Sequence, residues 1–273
     1  MKDIRLLVMD LDGTVVGHSN QIEAKVLQAI QAAQERGIQV AIATGRMYQS
    51  ALRFHQAIAS TLPLMAYQGA WIQDPQTNEV HRHWTLSREY AHELLDFFEQ
   101  PELRDRLSIH FYINDQLYVR EMLEETERYV ERSSVAAHAV GDLRQLLTVD
   151  PTKVLVQSSD VDLIDQLWQL LKKRYAPTDI YLTKSVDIFL EATNPQVNKG
   201  TAVRYIAEEL LGLEADQVMT IGDNLNDLEM LEYAGIGVAM GDAPEAVKRM
   251  AQWVAPSVEA SGAAVAIEKF LLT

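Results

Sequence analysis

With 273 residues, 48% of them hydrophobic and 23% charged, the chain has material for one large domain or two modest ones with ample core. A formal net charge of −15 argues against a nucleic-acid partner or an anionic membrane, and zero cysteine excludes disulfides and thiolate metal sites, as suits a reducing cytoplasm. No apolar run reaches membrane-spanning length and no signal-peptide pattern opens the chain, so no membrane partner and a cytoplasmic location are expected.

The first dozen residues carry the strongest signal. Ile4 to Met9 is an apolar run without helical periodicity, the pattern of a fully buried parallel strand. It ends in Asp10 and Asp12, then Gly13 and Thr14. Asp-Gly alone is ordinary turn chemistry. In an open α/β sheet, however, ligands sit beyond the carboxyl ends of the strands, which is where these acids are delivered.

Ile22, Val26, Ala29, Ile30 and Ala33 recur at helical spacing, and Gly37 suits a left-handed helix end. Ile38 to Ala43 reads as a second buried strand closing on Thr44-Gly45-Arg46. A helix over about 47–59 and a short strand from Leu64 to Tyr67 follow, the strand closing on Gln68-Gly69-Ala70. Strand, helix, strand, helix, strand is the signature of a doubly wound parallel sheet.

The texture then changes. Asp74 to Asn78 marks a hairpin turn. Helices are expected over 87–100, 121–132 and 160–174, with strands over 108–113, 153–157 and 180–184. In the strand over 108–113, Ile109, Phe111 and Ile113 share one face, while Ser108, His110 and Tyr112 share the other. Such alternation predicts a sheet with one packed and one wet face. Residues 85–189 therefore read as an α+β domain inserted into a core formed by 1–84 and 190–273. His81 and His83 have the look of a metal pair but no acidic partner nearby, and Trp168 with Leu171 reads as core.

Parallel-sheet texture returns after Leu190. Asn198-Lys199-Gly200 opens a helix to about Leu211. A strand from Val218 to Ile221 ends in Gly222-Asp223-Asn224-Leu225-Asn226-Asp227, and one from Ile236 to Met240 leads into Gly241-Asp242-Ala243-Pro244. Taken singly, Thr44, Lys199 and Asp227 have capping or solvation explanations. Their convergence on one sheet edge with Asp10, Asp12 and Asp223 does not. Oxygen ligands without His or Cys suit Mg²⁺, and an ion, a lysine, a hydroxyl and a helix start together suit a phosphate-sized anion.

The motifs Asp10-Leu-Asp-Gly-Thr, Ala43-Thr-Gly-Arg, Val197-Asn-Lys-Gly and Ile221-Gly-Asp-Asn-Leu-Asn-Asp, in this order, resemble the haloacid dehalogenase-like phosphatases of the Cof-type branch across nearly the whole chain. The resemblance implies a doubly wound, Rossmann-like core with an inserted α+β cap that closes over the active site and chooses the substrate. It implies Asp10 as nucleophile, Asp12 as general acid/base, and Thr44, Gly45 and Lys199 on the phosphoryl oxygens. It implies Mg²⁺ on Asp10, the Asp12 carbonyl and Asp223, with Asp227 close behind. A small phosphorylated metabolite, a sugar phosphate above all, would be the substrate. Nearby negative charge is expected to keep a proton on Asp12. Arg46, Asn226, His110 and Lys184 are the candidates for substrate contact, with Tyr112 and Thr183 beside them on the wet cap face. Gln68 and Asp242 stand where the family usually has Asn, and the usual Asp-Gly-Val is replaced around 260–263. The rivals are a phosphomutase-like phosphotransferase and a phosphate-binding regulatory module without turnover.

Overall fold

In the computed structural model, which describes residues 3–273, Leu6–Met9 forms β1 with every side chain buried. Leu7 and Met9 enter one apolar cluster, Leu6 and Val8 another, as a strand covered on both faces requires. Helix α1 (Ala24–Glu35) lays Val26, Ala29, Ile30 and Ala33 on the first cluster, and Gly37 at φ +83° turns the chain out of it. Then come β2 (Gln39–Ile42) and α2 (Tyr48–Ala57). β3 (Leu64–Ala66) follows, but among the described residues it meets the parallel system through an isolated bridge between Ala43 and Met65 rather than a ladder. Its main pairing is antiparallel, with β4 (Trp71–Gln73), which continues through the expected turn into β5 (Val80–His83).

The next elements are α3 (Arg88–Phe98), β6 (Ser108–Ile113), β7 (Gln116–Val119), α4 (Glu124–Ser133), β8 (Ala137–Ala139), β9 (Lys153–Gln157), α5 (Val161–Arg174), β10 (Tyr181–Thr183) and β11 (Phe189–Thr193). Among the described residues they form a sheet in the order β10-β11-β9-β6-β7-β8, antiparallel except between β7 and β8. Ile109, Phe111, Val154, Val156, Leu190 and Ala192 pack with α3 and α5 residues on one face. Leu171 is core as expected, with Trp168 half-buried against it.

The other face is not wet. Ser108, His110 and Tyr112 are all buried, because α4 lies on them. Thr126 Oγ1 is 2.7 Å from Ser108 Oγ and 3.2 Å from His110 Nε2, and the Tyr129 ring stands edge-on to His110 at 5.2 Å. α4 reads Glu-Glu-Thr-Glu-Arg-Tyr-Val-Glu-Arg-Ser, and its inward face of Thr126, Tyr129, Val130 and Ser133, at i, i+3, i+4 and i+7, is too polar to read as an apolar stripe. The same face holds Lys153 and Glu191, both buried and paired at 2.7 Å. Thr183 is buried, and Lys184 is buried against Asp165 with its ammonium 6.0 Å from the Trp168 ring. His83 bonds Thr152 Oγ1 and His81 the Tyr205 hydroxyl, so each has a partner other than a metal.

The chain returns through α6 (Lys199–Arg204), whose cap is a reciprocal bond pair between Asn198 and Thr201 and which runs on as a wider π-helical turn over Tyr205–Leu210. β12 (Val218–Gly222), α7 (Leu228–Tyr233), β13 (Ile236–Ala239), α8 (Glu245–Met250), β14 (Trp253–Val254) and α9 (Gly262–Leu271) complete it. The order β14-β13-β12-β1-β2 is parallel throughout. Residues of α1, α2 and α9 cover one face, and those of α6 and α7 the other. β1 lies where the strand order reverses, the switch point at which such sheets bind ligands.

Contacts divide the chain into two units, one running to Arg82 and resuming over Asn198–Thr273, the other His83–Val197. A boundary at 189/190 would cut β11, whose pairing with β9 and β10 holds residues 189–193 in the second unit. No helix among the described residues is long and apolar enough to cross a membrane.

Burial, with Lys153 adding to it, drops the His110 pKa to about 3 from an ordinary 6.5, so the fold keeps this imidazole neutral. The unfolded chain binds a proton here below pH ~6.5 and the folded one does not until pH ~3. Stability therefore falls as pH falls through that window, by up to ~1.4 kcal/mol per unit. Denaturant midpoints at pH 7.5 and 5 should drop more for the native chain than for His110→Gln. Equal drops would show that His110 is not held neutral.

Candidate active site

Four side chains converge where β1, β12 and α6 end or begin. Lys199, wholly buried at the first position of α6, donates to Asp10 Oδ1 and to Asp227 Oδ1, both at 2.6 Å. Asp227 Oδ2 accepts from the N–H groups of Asp223 and Asn224 at 2.8 and 3.0 Å, closing the loop after β12. Asp223 Oδ1 accepts from Thr14 Oγ1 at 3.0 Å. Gly13, at φ +81°, lies so close to Asp223 that a Cβ there would collide with its carboxylate. The loop after β1 is thus shaped around the acid after β12.

Oxygens of Asp10, Asp223 and Asp227 lie within 4.8 Å of one another. Burial pushes the Asp10 carboxyl up to about 7 against the pull of Lys199, with Asp227 and Asp12 pushing further. Asp223 is raised well above the carboxylate range, by burial first and then by Asp10 and Asp227. Burial works against the Lys199 ammonium, yet Asp10 and Asp227 together outweigh it and raise its pKa. Three carboxylates against one ammonium leave this buried cluster short of positive charge. The second oxygens of Asp10 and Asp223 take no part in the bonds above. A hard divalent ion fits that donor set, with Asp10 and Asp223 as its side-chain ligands and Asp227 held back by Lys199 and the two backbone donors.

Asp12 is placed differently. Arg46 Nε donates to its Oδ2 at 2.6 Å and Nη2 to its Oδ1 at 2.7 Å. The expected surplus of negative charge around Asp12 is therefore met by a guanidinium that grips both of its oxygens. Thr44 is buried, its Oγ1 accepting from the Arg46 N–H at 3.2 Å and its carbonyl from the Gln68 N–H at 2.8 Å. Gly45 packs so tightly against Gln68 that a Cβ there would meet its side-chain amide. Gln68 sits in left-handed backbone at φ +62°, between Tyr67 at +52° and Gly69 at +96°. Its Oε1 accepts from Asn226 Nδ2 at 3.0 Å, so two residues singled out separately in the sequence are bonded to each other. Asp242 accepts from the Val258 N–H in an exposed turn.

The first unit therefore gathers Asp10, Asp12, Thr44, Gly45, Arg46, Lys199, Asp223, Asn226 and Asp227. His110 and Lys184 belong to the interior of the second. Thr14 stands in the first motif but was given no role there, and Asn20 escaped sequence reading, having only the turn chemistry of its neighbours as a signal.

Comparison with known proteins places the chain in one family. The family described as haloacid dehalogenase-like hydrolase matches residues 7–267. The chain is 28% identical over 272 residues to the 5-amino-6-(5-phospho-D-ribitylamino)uracil phosphatase YitU of Bacillus subtilis, covering 97% of each. It is 27% identical over 270 residues to YcsE of the same organism, which carries the same activity in its name, covering 99% of this chain and 97% of that one. A haloacid dehalogenase-like hydrolase from Bacteroides thetaiotaomicron superposes with a TM-score of 0.83 at 25% identity, covering 97% of this chain and 99% of the other.

If the acid cluster holds a divalent ion, Mg²⁺ at 100 times its Kd should stabilise the folded protein by about 2.7 kcal/mol. Asp223→Asn should lose most of that shift in thermal unfolding. An equal Mg²⁺ shift in both proteins would place the ion elsewhere.

Proposed function

The chain belongs to the haloacid dehalogenase-like hydrolases, and on that basis we propose that it hydrolyses a phosphate monoester of a small metabolite through an aspartyl-phosphate on Asp10. The observation that carries the reading is Lys199 fixed between Asp10 and Asp227. It favours the Asp10 carboxylate, opposing the burial that raises its pKa to about 7, at the sheet's switch point, and a second carboxylate stands two residues away.

In the first step an Asp10 oxygen attacks phosphorus, the bond to the leaving oxygen breaks with its electron pair, and Asp12 delivers a proton to that oxygen. In the second, Asp12 takes a proton from water, the water oxygen attacks phosphorus, and the bond to Asp10 breaks to restore its carboxylate. Lys199 offers charge to the phosphoryl oxygens, and Thr44 its hydroxyl, beside the Gly45 backbone. Mg²⁺, held by Asp10, Asp223 and the Asp12 carbonyl, would supply further charge neutralisation on the phosphoryl group.

The relatives support a substrate whose phosphate sits on a sugar-like polyol chain, since a phosphoribityl group is named in both. The chain's net charge of −15 opposes an anionic ligand at long range, which makes Lys199 and the ion the local attraction.

Asp10→Asn keeps the shape but removes the nucleophile, so it should form no phosphoenzyme. Asp12→Asn loses proton transfer, worth ~10²–10⁴-fold. With a substrate that has a very good leaving group it should give a burst and then stall. Intact mass after rapid quench should show one added phosphoryl group on Asp12→Asn and none on Asp10→Asn. A label on Asp10→Asn would refute the division of labour, and full activity after exhaustive chelation would refute the ion.

A further inference from the structure

Each acid of the site has its own restraint, and the restraint on Asp12 is the one with no role yet. Asp12 stands on a loop with a third of its side chain exposed, where a short carboxylate has rotamers to choose from. Arg46 removes that choice by gripping both oxygens, Nε on Oδ2 and Nη2 on Oδ1. Two parallel bonds fix the plane of a carboxylate as well as its position, which a lysine cannot do. The guanidinium is itself held. Nη2 also donates to Asn20 Oδ1 at 2.8 Å, and the cation lies 4.9 Å from the centre of the Phe54 ring. Its backbone N–H bonds Thr44 Oγ1 and its carbonyl accepts from Tyr67 N–H at 2.9 Å. Only 8% of the side chain is exposed. Asn20 takes left-handed backbone at φ +55°, which places its amide for this contact. The Nε hydrogen and both Nη2 hydrogens are committed to Asp12 and Asn20.

We infer that Arg46 is a positioning residue that acts through Asp12, aiming its carboxylate for proton transfer, and that it is not a contact for the substrate. Asn20 supports it from behind. The inference rests on the hydrolytic reading above. Arg46→Lys keeps the charge and loses the fork. With a good-leaving-group aryl phosphate it should form the phosphoenzyme within about threefold of the native rate, yet release it roughly 10–100-fold more slowly, part of the range that positioned acid–base catalysis spans. KM should stay within about threefold. Asn20→Gly, which suits the positive φ, should show the same signature at roughly 3–10-fold, and it tests the idea should Arg46→Lys fold poorly.

The deciding measurement is the double variant. Added to Asp12→Asn, Arg46→Lys should slow release no further, because the group it aims is already gone. If the two losses multiply, or if Arg46→Lys raises KM and slows phosphoenzyme formation, Arg46 serves the substrate directly and the inference is overturned. If the native protein forms no phosphoenzyme at all, the hydrolytic reading fails first and takes this inference with it.

Discussion

Everything in the first unit depends on one buried ammonium. Lys199 has no exposed surface and touches two carboxylates at 2.6 Å, on Asp10 after β1 and Asp227 after β12. Breaking such a pair by deleting one partner leaves an unpaired charge in the interior, which typically costs ~3–5 kcal/mol. The arrangement therefore fixes three chain segments that lie far apart in sequence. It also concentrates more negative charge than one lysine answers, and an arrangement of that kind is kept for use rather than for stability.

The acids differ in what surrounds them rather than in kind. Asp10 shares the lysine, Asp227 is consumed by the lysine and two backbone donors, Asp223 accepts from Thr14, and Asp12 is gripped by Arg46. Chemistry that needs a nucleophile, an ion ligand and a proton carrier from one residue type has to separate them by environment. The backbone serves that separation. Left-handed residues at Gly13 and at Tyr67, Gln68 and Gly69 turn the loops after β1 and β3.

How much of this the sequence disclosed follows physical lines. Apolar runs announce themselves as strands, so β1 and β9 fell where the pattern put them, and β6 did so through its alternation. The acids after β1 were legible because a buried strand seldom ends in paired carboxylates without a use. The wet cap face was misread because burial there comes from α4, whose charged sequence hides the threonine and tyrosine that do the covering. β7, β8 and β11 were missed for a related reason. β8 is only three residues long, and β11 mixes Glu191 and Thr193 into its apolar run, since a buried lysine partner lets a glutamate sit inside. The grip of Arg46 on Asp12 spans 34 positions, a tertiary pairing that no local pattern encodes.

The central claim is that phosphorus is attacked by Asp10 and only then by water. Hydrolysis of a substrate whose phosphate is made chiral with three oxygen isotopes tests it without altering a residue, by transfer to an acceptor alcohol in place of water. Two in-line displacements should return retained configuration at phosphorus. Inversion would mean a single direct displacement, and the role given to Asp10 would be wrong.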